Sequence, residues 1–156
     1  METVMVQMSD ERWTKETVHL ACALARKLNG RVVLLRLSPA IHPGLLGWGI
    51  TPPSADEQRR ITEYAEIAED YGVEFCVQPM QFVSLDEALA QTVELLQATV
   101  LFANIPLSNI PFWRHFRLWN LKRQLGGCRL YTLVEEAPLS TTGSTLPTMP
   151  LGPALK

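Results

Sequence analysis

Five short apolar runs alternate with four helix-length segments along this chain, and that alternation constrains the fold more than any other feature. The runs fall at 3–8, 31–37, 73–78, 99–103 and 129–134. Each has the length of a strand. The first is apolar at nearly every position, and the Val-Val-Leu-Leu centre of the second is continuous, as in strands covered on both faces. A strand-helix alternation of this kind implies a single α/β domain. Its sheet is parallel, with helices on both faces and right-handed crossovers.

The segments between the runs carry helix signals. Trp13, Thr17, Leu20, Leu24 and Leu28 recur at helical spacing and form one stripe, which sets His19 on the solvated face with Lys15 and Arg26. Asn29-Gly30 reads as a left-handed cap. Ser54-Ala55-Asp56-Glu57 has the spacing of a capping box and opens a helix with Ile61, Tyr64, Ala65, Ala68 and Tyr71 on one face, ending at Gly72. Ser84-Leu85-Asp86-Glu87 is a second such box, followed by Leu85, Ala88, Leu89, Thr92 and Leu96. The last helix, 112–125, is unusual in having two apolar stripes. Leu118, Leu121 and Leu125 form one, and Phe112, Phe116 and Trp119 form another roughly 150° away.

Two stretches have no regular pattern. Residues 38–53 hold four prolines and three glycines, together with Ile41, Leu45, Leu46, Trp48 and Ile50. This content fits a flap packed on its own domain or on a partner. Residues 137–156 are rich in Pro, Ser and Thr and lack aromatic side chains. The domain is therefore expected over 1–136, and the remainder as a disordered tail or a docked arm.

Bulk properties exclude several classes of function. A net charge of −2 argues against a nucleic-acid partner, whose capture needs many Lys and Arg contacts to phosphates. No apolar run approaches the ~20 residues of a membrane span, and residues 1–3 lack the basic start of a signal peptide. Cys22, Cys76 and Cys128 form no CxxC pair and read as reduced, mostly buried thiols. A cytoplasmic protein without a membrane partner is expected. His19, His42 and His115 are scattered, so no metal site is expected. GxSxG is absent, and strand three runs into Gln78-Pro79-Met80 where a phosphoacceptor domain needs an aspartate. The chain does not read as an enzyme.

The order of elements, with Val4-Met5-Val6-Gln7-Met8 at the start, resembles the universal stress protein family. The alanine-bearing first helix, Asn29-Gly30 and the Val-Val-Leu-Leu strand are similar to that family's first helix and second strand. Ala98-Thr99-Val100-Leu101-Phe102 and the closing run from Cys128 extend the likeness over about residues 3–135. The resemblance implies a Rossmann-like three-layer sandwich with strand order 3-2-1-4-5 and a ligand crevice between strands one and four. It also implies a homodimer paired through strand five. The family's nucleotide binders carry an aspartate where Ser9 stands, and a glycine-rich loop where this chain has Asn104-Ile105-Pro106-Leu107-Ser108-Asn109-Ile110-Pro111. Prolines lack the N–H that a phosphate cradle uses, and no glycine lets the backbone approach closely. Family-type ATP binding is therefore not expected, and neither is a cofactor.

The expected role is that of a non-enzymatic regulatory or interaction module. The alternative is a small-molecule or adenine-nucleotide binder with a remodelled crevice. Crevice candidates are Met8, Ser9, Asp10, Asn104, Ser108, Asn109 and Arg114. Interface candidates are Phe112, Phe116, Trp119, Leu130, Tyr131 and Leu133. Truncation before Pro138 is expected to leave the melting temperature nearly unchanged. A fall of about ten degrees by calorimetry, equivalent to roughly 2–4 kcal/mol, would show that the tail is a docked arm.

Overall fold

The computed structural model describes residues 1–39, 51–105 and 111–132. Residues 40–50, 106–110 and 133–156 lie outside these, and so do the expectations placed on them. The elements run β1 (Thr3–Gln7), α1 (Glu11–Leu28), β2 (Arg31–Pro39), α2 (Ala55–Tyr71), β3 (Glu74–Phe82), α3 (Leu85–Leu96), β4 (Val100–Phe102), α4 (Pro111–Leu125) and β5 (Arg129–Tyr131). The five strands form one parallel sheet in the order β3-β2-β1-β4-β5, as expected.

The register explains why the central strands are apolar at every position. Val4 lies beside Val32 and Val100, and Met5 beside Val33 and Leu101. Alternate residues point to opposite faces of a strand. Val4, Val6, Val32, Leu34, Val100 and Phe102 accordingly pack under α1 and α2, in a cluster with Val18, Ala21, Ile61 and Tyr64. Met5, Val33, Leu35, Leu101 and Ala103 pack on the other face with Leu89, Val93, Leu121 and Leu125 of α3 and α4. Both faces are thus covered by helices, making three layers.

Several local expectations are corrected. The buried face of α1 is Trp13, Thr14, Thr17, Val18, Ala21, Cys22 and Ala25, whereas Leu20 and Leu28 are exposed. Small side chains let the helix backbone approach the sheet closely, and the leucines flank that contact. The left-handed cap expected at Asn29-Gly30 does form, on Asn29 with φ 56°. Gly30 is needed for another reason: a Cβ there would collide with the backbone oxygen of Glu2, which accepts from the Arg31 amide at 2.8 Å.

The first capping box forms in full between Ser54 and Glu57. The second does not: Ser84 makes no side-chain cap bond. Asp86 in that first turn is instead held by Arg117 of α4 at 3.1 Å. β3 continues through Pro79 to Phe82, beyond the expected end at 78. It is an edge strand, where a residue without an N–H is tolerated. Its edge position also leaves Cys76 exposed, so only Cys22 of the three thiols is fully buried. β1 stops at Gln7, and β4 and β5 have three residues each.

In α4, Leu121 and Leu125 are buried, while Phe112, Trp113, Phe116 and Trp119 are 69%, 54%, 51% and 55% exposed. The second apolar stripe therefore faces outward. Among the described residues no helix is long and apolar enough to cross a membrane.

The Gly30 contact makes a specific stability prediction. Gly30→Ala should destabilise the fold by about 1–3 kcal/mol, the usual cost of forcing atoms into a packed site. Gly127→Ala, where an added Cβ meets nothing within 4 Å, should be nearly neutral. Equal denaturation midpoints for the two variants would show that the β1–β2 entry is not tightly packed.

Candidate functional site

The sheet order reverses at β1. The chain builds outward through β2 and β3, then returns to place β4 and β5 on the other side of β1. In open parallel sheets the crevice beyond the strand ends at such a point is the usual ligand site. Here the ends of β1 and β4 supply Gln7, Met8, Ser9, Asp10 and Asn104.

These groups are joined to one another. Gln7 is only 8% exposed, and its Oε1 accepts from the Asn104 backbone amide at 2.9 Å. The Asn104 side-chain Nδ2 donates to Ser9 Oγ at 2.9 Å and to Asp10 Oδ1 at 3.4 Å. Asp10 Oδ2 in turn accepts from the Trp13 amide at 3.0 Å, which makes it the N-cap of α1. A carboxylate is well placed there, because free N–H groups and the positive end of the helix dipole face it. The Ser9 amide donates to Thr14 Oγ1 at 2.8 Å, and the Met8 amide donates to the Leu35 carbonyl at 2.9 Å.

Three of the expected crevice residues, Ser9, Asp10 and Asn104, thus come together. Met8 is partly buried against the core under α1 and α2. Arg114 stands exposed in the first turn of α4. Ser108 and Asn109 lie outside the described residues. Chemically, the site holds a carboxylate whose oxygens are already accepting and an amide whose donors are already directed inward.

Sequence reasoning missed Gln7, Thr14 and Arg36. The usable signal was a polar or charged residue inside or beside an otherwise apolar strand. Arg36 lies near the end of β2 with its side chain 8% exposed and is ion-paired with Glu57 at 3.3 Å. Its Nη1 also donates to the Thr51 carbonyl at 2.7 Å. Glu57 Oε1 accepts from the Ser54 amide as well, at 3.1 Å. One carboxylate therefore anchors a strand, a helix start and the chain leading into that helix. The hydrogen bond from Arg36, then that from the Ser54 backbone, holds the Glu57 carboxyl below its ordinary value.

Two of the thiols, Cys22 and Cys128, are poor nucleophiles. Burial pushes Cys22 and Cys128 up to about 11, so both stay protonated at neutral pH. Among the described residues no three His, Cys, Asp or Glu side chains gather as a metal site would require.

No family model matches the chain, and no curated protein matches it. Solved structures do share its fold. A universal stress protein in complex with cAMP is 17% identical, with 86% of this chain and 98% of that one covered and a TM-score of 0.60. A protein of the universal stress protein family from Burkholderia pseudomallei is 12% identical, covers 85% and 95%, and has a TM-score of 0.59. The universal stress protein from Archaeoglobus fulgidus in complex with dAMP is 14% identical, covers 86% and 98%, and has a TM-score of 0.50. At these identities the likeness is one of fold.

The Arg36–Glu57 pair sets a pH dependence. Because the folded carboxyl is depressed, its contribution is complete above its ordinary value of 4.5 and is lost as pH falls through the folded value. Glu57→Gln should cost about 1–3 kcal/mol at pH 7. Thermal unfolding followed from pH 7 to pH 3 should show the two proteins converging on acidification. A constant gap across that range would mean that the pair is not what stabilises this corner.

Proposed function

We propose that this chain is a regulatory or interaction module of the universal stress protein type, working in the cytoplasm as a homodimer. In this reading it turns over no substrate and does not bind ATP in the family's manner. The observation that carries the reading is the Gln7–Asn104–Ser9–Asp10 network. It commits the polar groups of the crevice to each other and to the backbone, so the Asn104 amide and the Asp10 carboxylate are already engaged. The loop sequence supports it too, since 104–111 contains two prolines and no glycine.

The dimer is proposed along β5. Leu130 is half-buried and Tyr131 is 42% exposed on an edge strand, and Leu133 lies outside the described residues. Unpaired apolar edge strands are otherwise aggregation sites. Phe112, Phe116 and Trp119 lie on the outward face of α4 and are assigned to a further contact.

A second reading is favoured by the cAMP and dAMP held by two of the similar proteins. It makes this chain a small-molecule or adenine-nucleotide binder that uses Ser9, Asp10, Asn104 and the neighbouring 108, 109 and 114 positions in a remodelled way. Mass spectrometry of the purified, denatured protein separates the two, since a tight ligand survives purification.

Two measurements test the first reading. Titration calorimetry with magnesium-ATP should give a dissociation constant weaker than about 1 mM. A value below about 100 μM, or roughly −5.5 kcal/mol, would contradict it. Light scattering at micromolar concentration should report twice the 17.5 kDa chain mass, and a monomer alone would remove the proposed dimer.

A further inference from the structure

The outward face of α4 has a chemistry of its own. At 100° per residue, Phe112, Phe116, Trp119 and Arg123 fall within about 60° of one another, opposite the buried Leu121 and Leu125. The rings form a continuous row. Phe112 meets Trp113 edge-on at 5.5 Å, Trp113 meets Phe116 at 6.3 Å, and Phe116 meets Trp119 at 6.3 Å. The Arg123 guanidinium lies over the Trp119 ring at 5.0 Å. Lys122 and Arg123 are both exposed.

Charge is segregated to the same part of the chain. From residue 95 to residue 134 there is no carboxylate, yet this stretch holds Arg114, Arg117, Lys122, Arg123 and Arg129; Arg117 is paired with Asp86 of α3, and Lys122 and Arg123 are the cations that stand beside the rings. The rest of the chain is left with nine basic residues against all sixteen acidic ones. A net acidic protein therefore displays one basic, aromatic helix.

From this we infer that α4 docks on an anionic phospholipid surface. Helices that lie in a membrane interface carry Trp and Phe on the inserted face and Lys or Arg beside it. The inner leaflet attracts such cations through its negative surface potential. The shape also fits a plane. The face is the convex outer side of a helix, whereas single-stranded nucleic acid is held in a charged groove. A second copy would bring two basic faces together. The expectation of no membrane partner was drawn from the absence of a span, and surface docking needs none. The inference does not depend on dimerisation. If chains pair antiparallel through β5, both α4 faces lie on one side of the joined sheet, which adds avidity.

The test is co-sedimentation of the full chain with vesicles of phosphatidylcholine alone and of phosphatidylcholine with half phosphatidylglycerol. Binding is expected to the anionic vesicles only and should weaken with salt. Lys122→Gln with Arg123→Gln should reduce partitioning roughly 25-fold, about fivefold for each cation. Phe116→Ser with Trp119→Ser should abolish it, and circular dichroism should stay native because both residues are exposed. A measurement without any variant uses bromine-labelled anionic lipid, which should quench tryptophan fluorescence. No sedimentation and no quenching would overturn the inference. So would equal binding to neutral vesicles, or aromatic variants that turn a dimer into a monomer while vesicle binding is absent.

Discussion

A parallel sheet cannot leave a face in water, and nearly everything in this structure follows from that constraint. Crossover connections place helices on both sides, so central strands must be apolar at successive positions. Val4, Met5 and Val6 obey this in β1, and Val32 to Leu35 obey it in β2, all at or near zero exposure. The demand passes to the helices. α1 meets the sheet through Trp13, Val18 and a set of small Thr, Ala and Cys side chains. Gly30 serves a close approach at the turn into β2.

The same topology creates the crevice where β1 and β4 part. In this chain that space is organised from within. Asn104 reaches across from β4 to Ser9 and Asp10, while Gln7 reaches back to the Asn104 backbone. Asp10 is also the cap of α1, so the helix start and the crevice share one carboxylate. Removing the Gln7 side chain would leave the partly buried Asn104 backbone amide without that partner, at about 1–3 kcal/mol. The network therefore has a structural reason to exist whether or not a ligand is ever bound.

Much of this was legible in the residues. The five apolar runs located all five strands, and Ser54 with Glu57 marked a helix start that forms both of its expected bonds. The strand order came from family resemblance, because periodicity alone does not say which strands are neighbours. The misses share a physical cause: each depends on tertiary position. Ser84 stands at the N-cap position of α3 without a side-chain cap bond, and two residues on Asp86 is engaged by Arg117 from another helix. Pro79 looked like a strand end and is tolerated because β3 lies at the edge. Of the crevice candidates, Ser9, Asp10 and Asn104 converge, but Gln7 and Arg36 were hidden inside apolar strands. Nothing in a strand's own pattern shows that a distant backbone amide or carboxylate will meet its polar residue.

At the switch point the side chains of Gln7, Ser9, Asp10 and Asn104 are bonded to one another and to the backbone. Hydrogen exchange at the Asn104 and Trp13 backbone amides reads those bonds directly, since each donates into the network. In the ligand-free protein both amides should exchange slowly, at rates close to those of the β1 core, and adding AMP or ATP should leave them unchanged. Fast exchange without nucleotide, followed by strong protection once it is added, would contradict the account and mark the crevice as an open binding site.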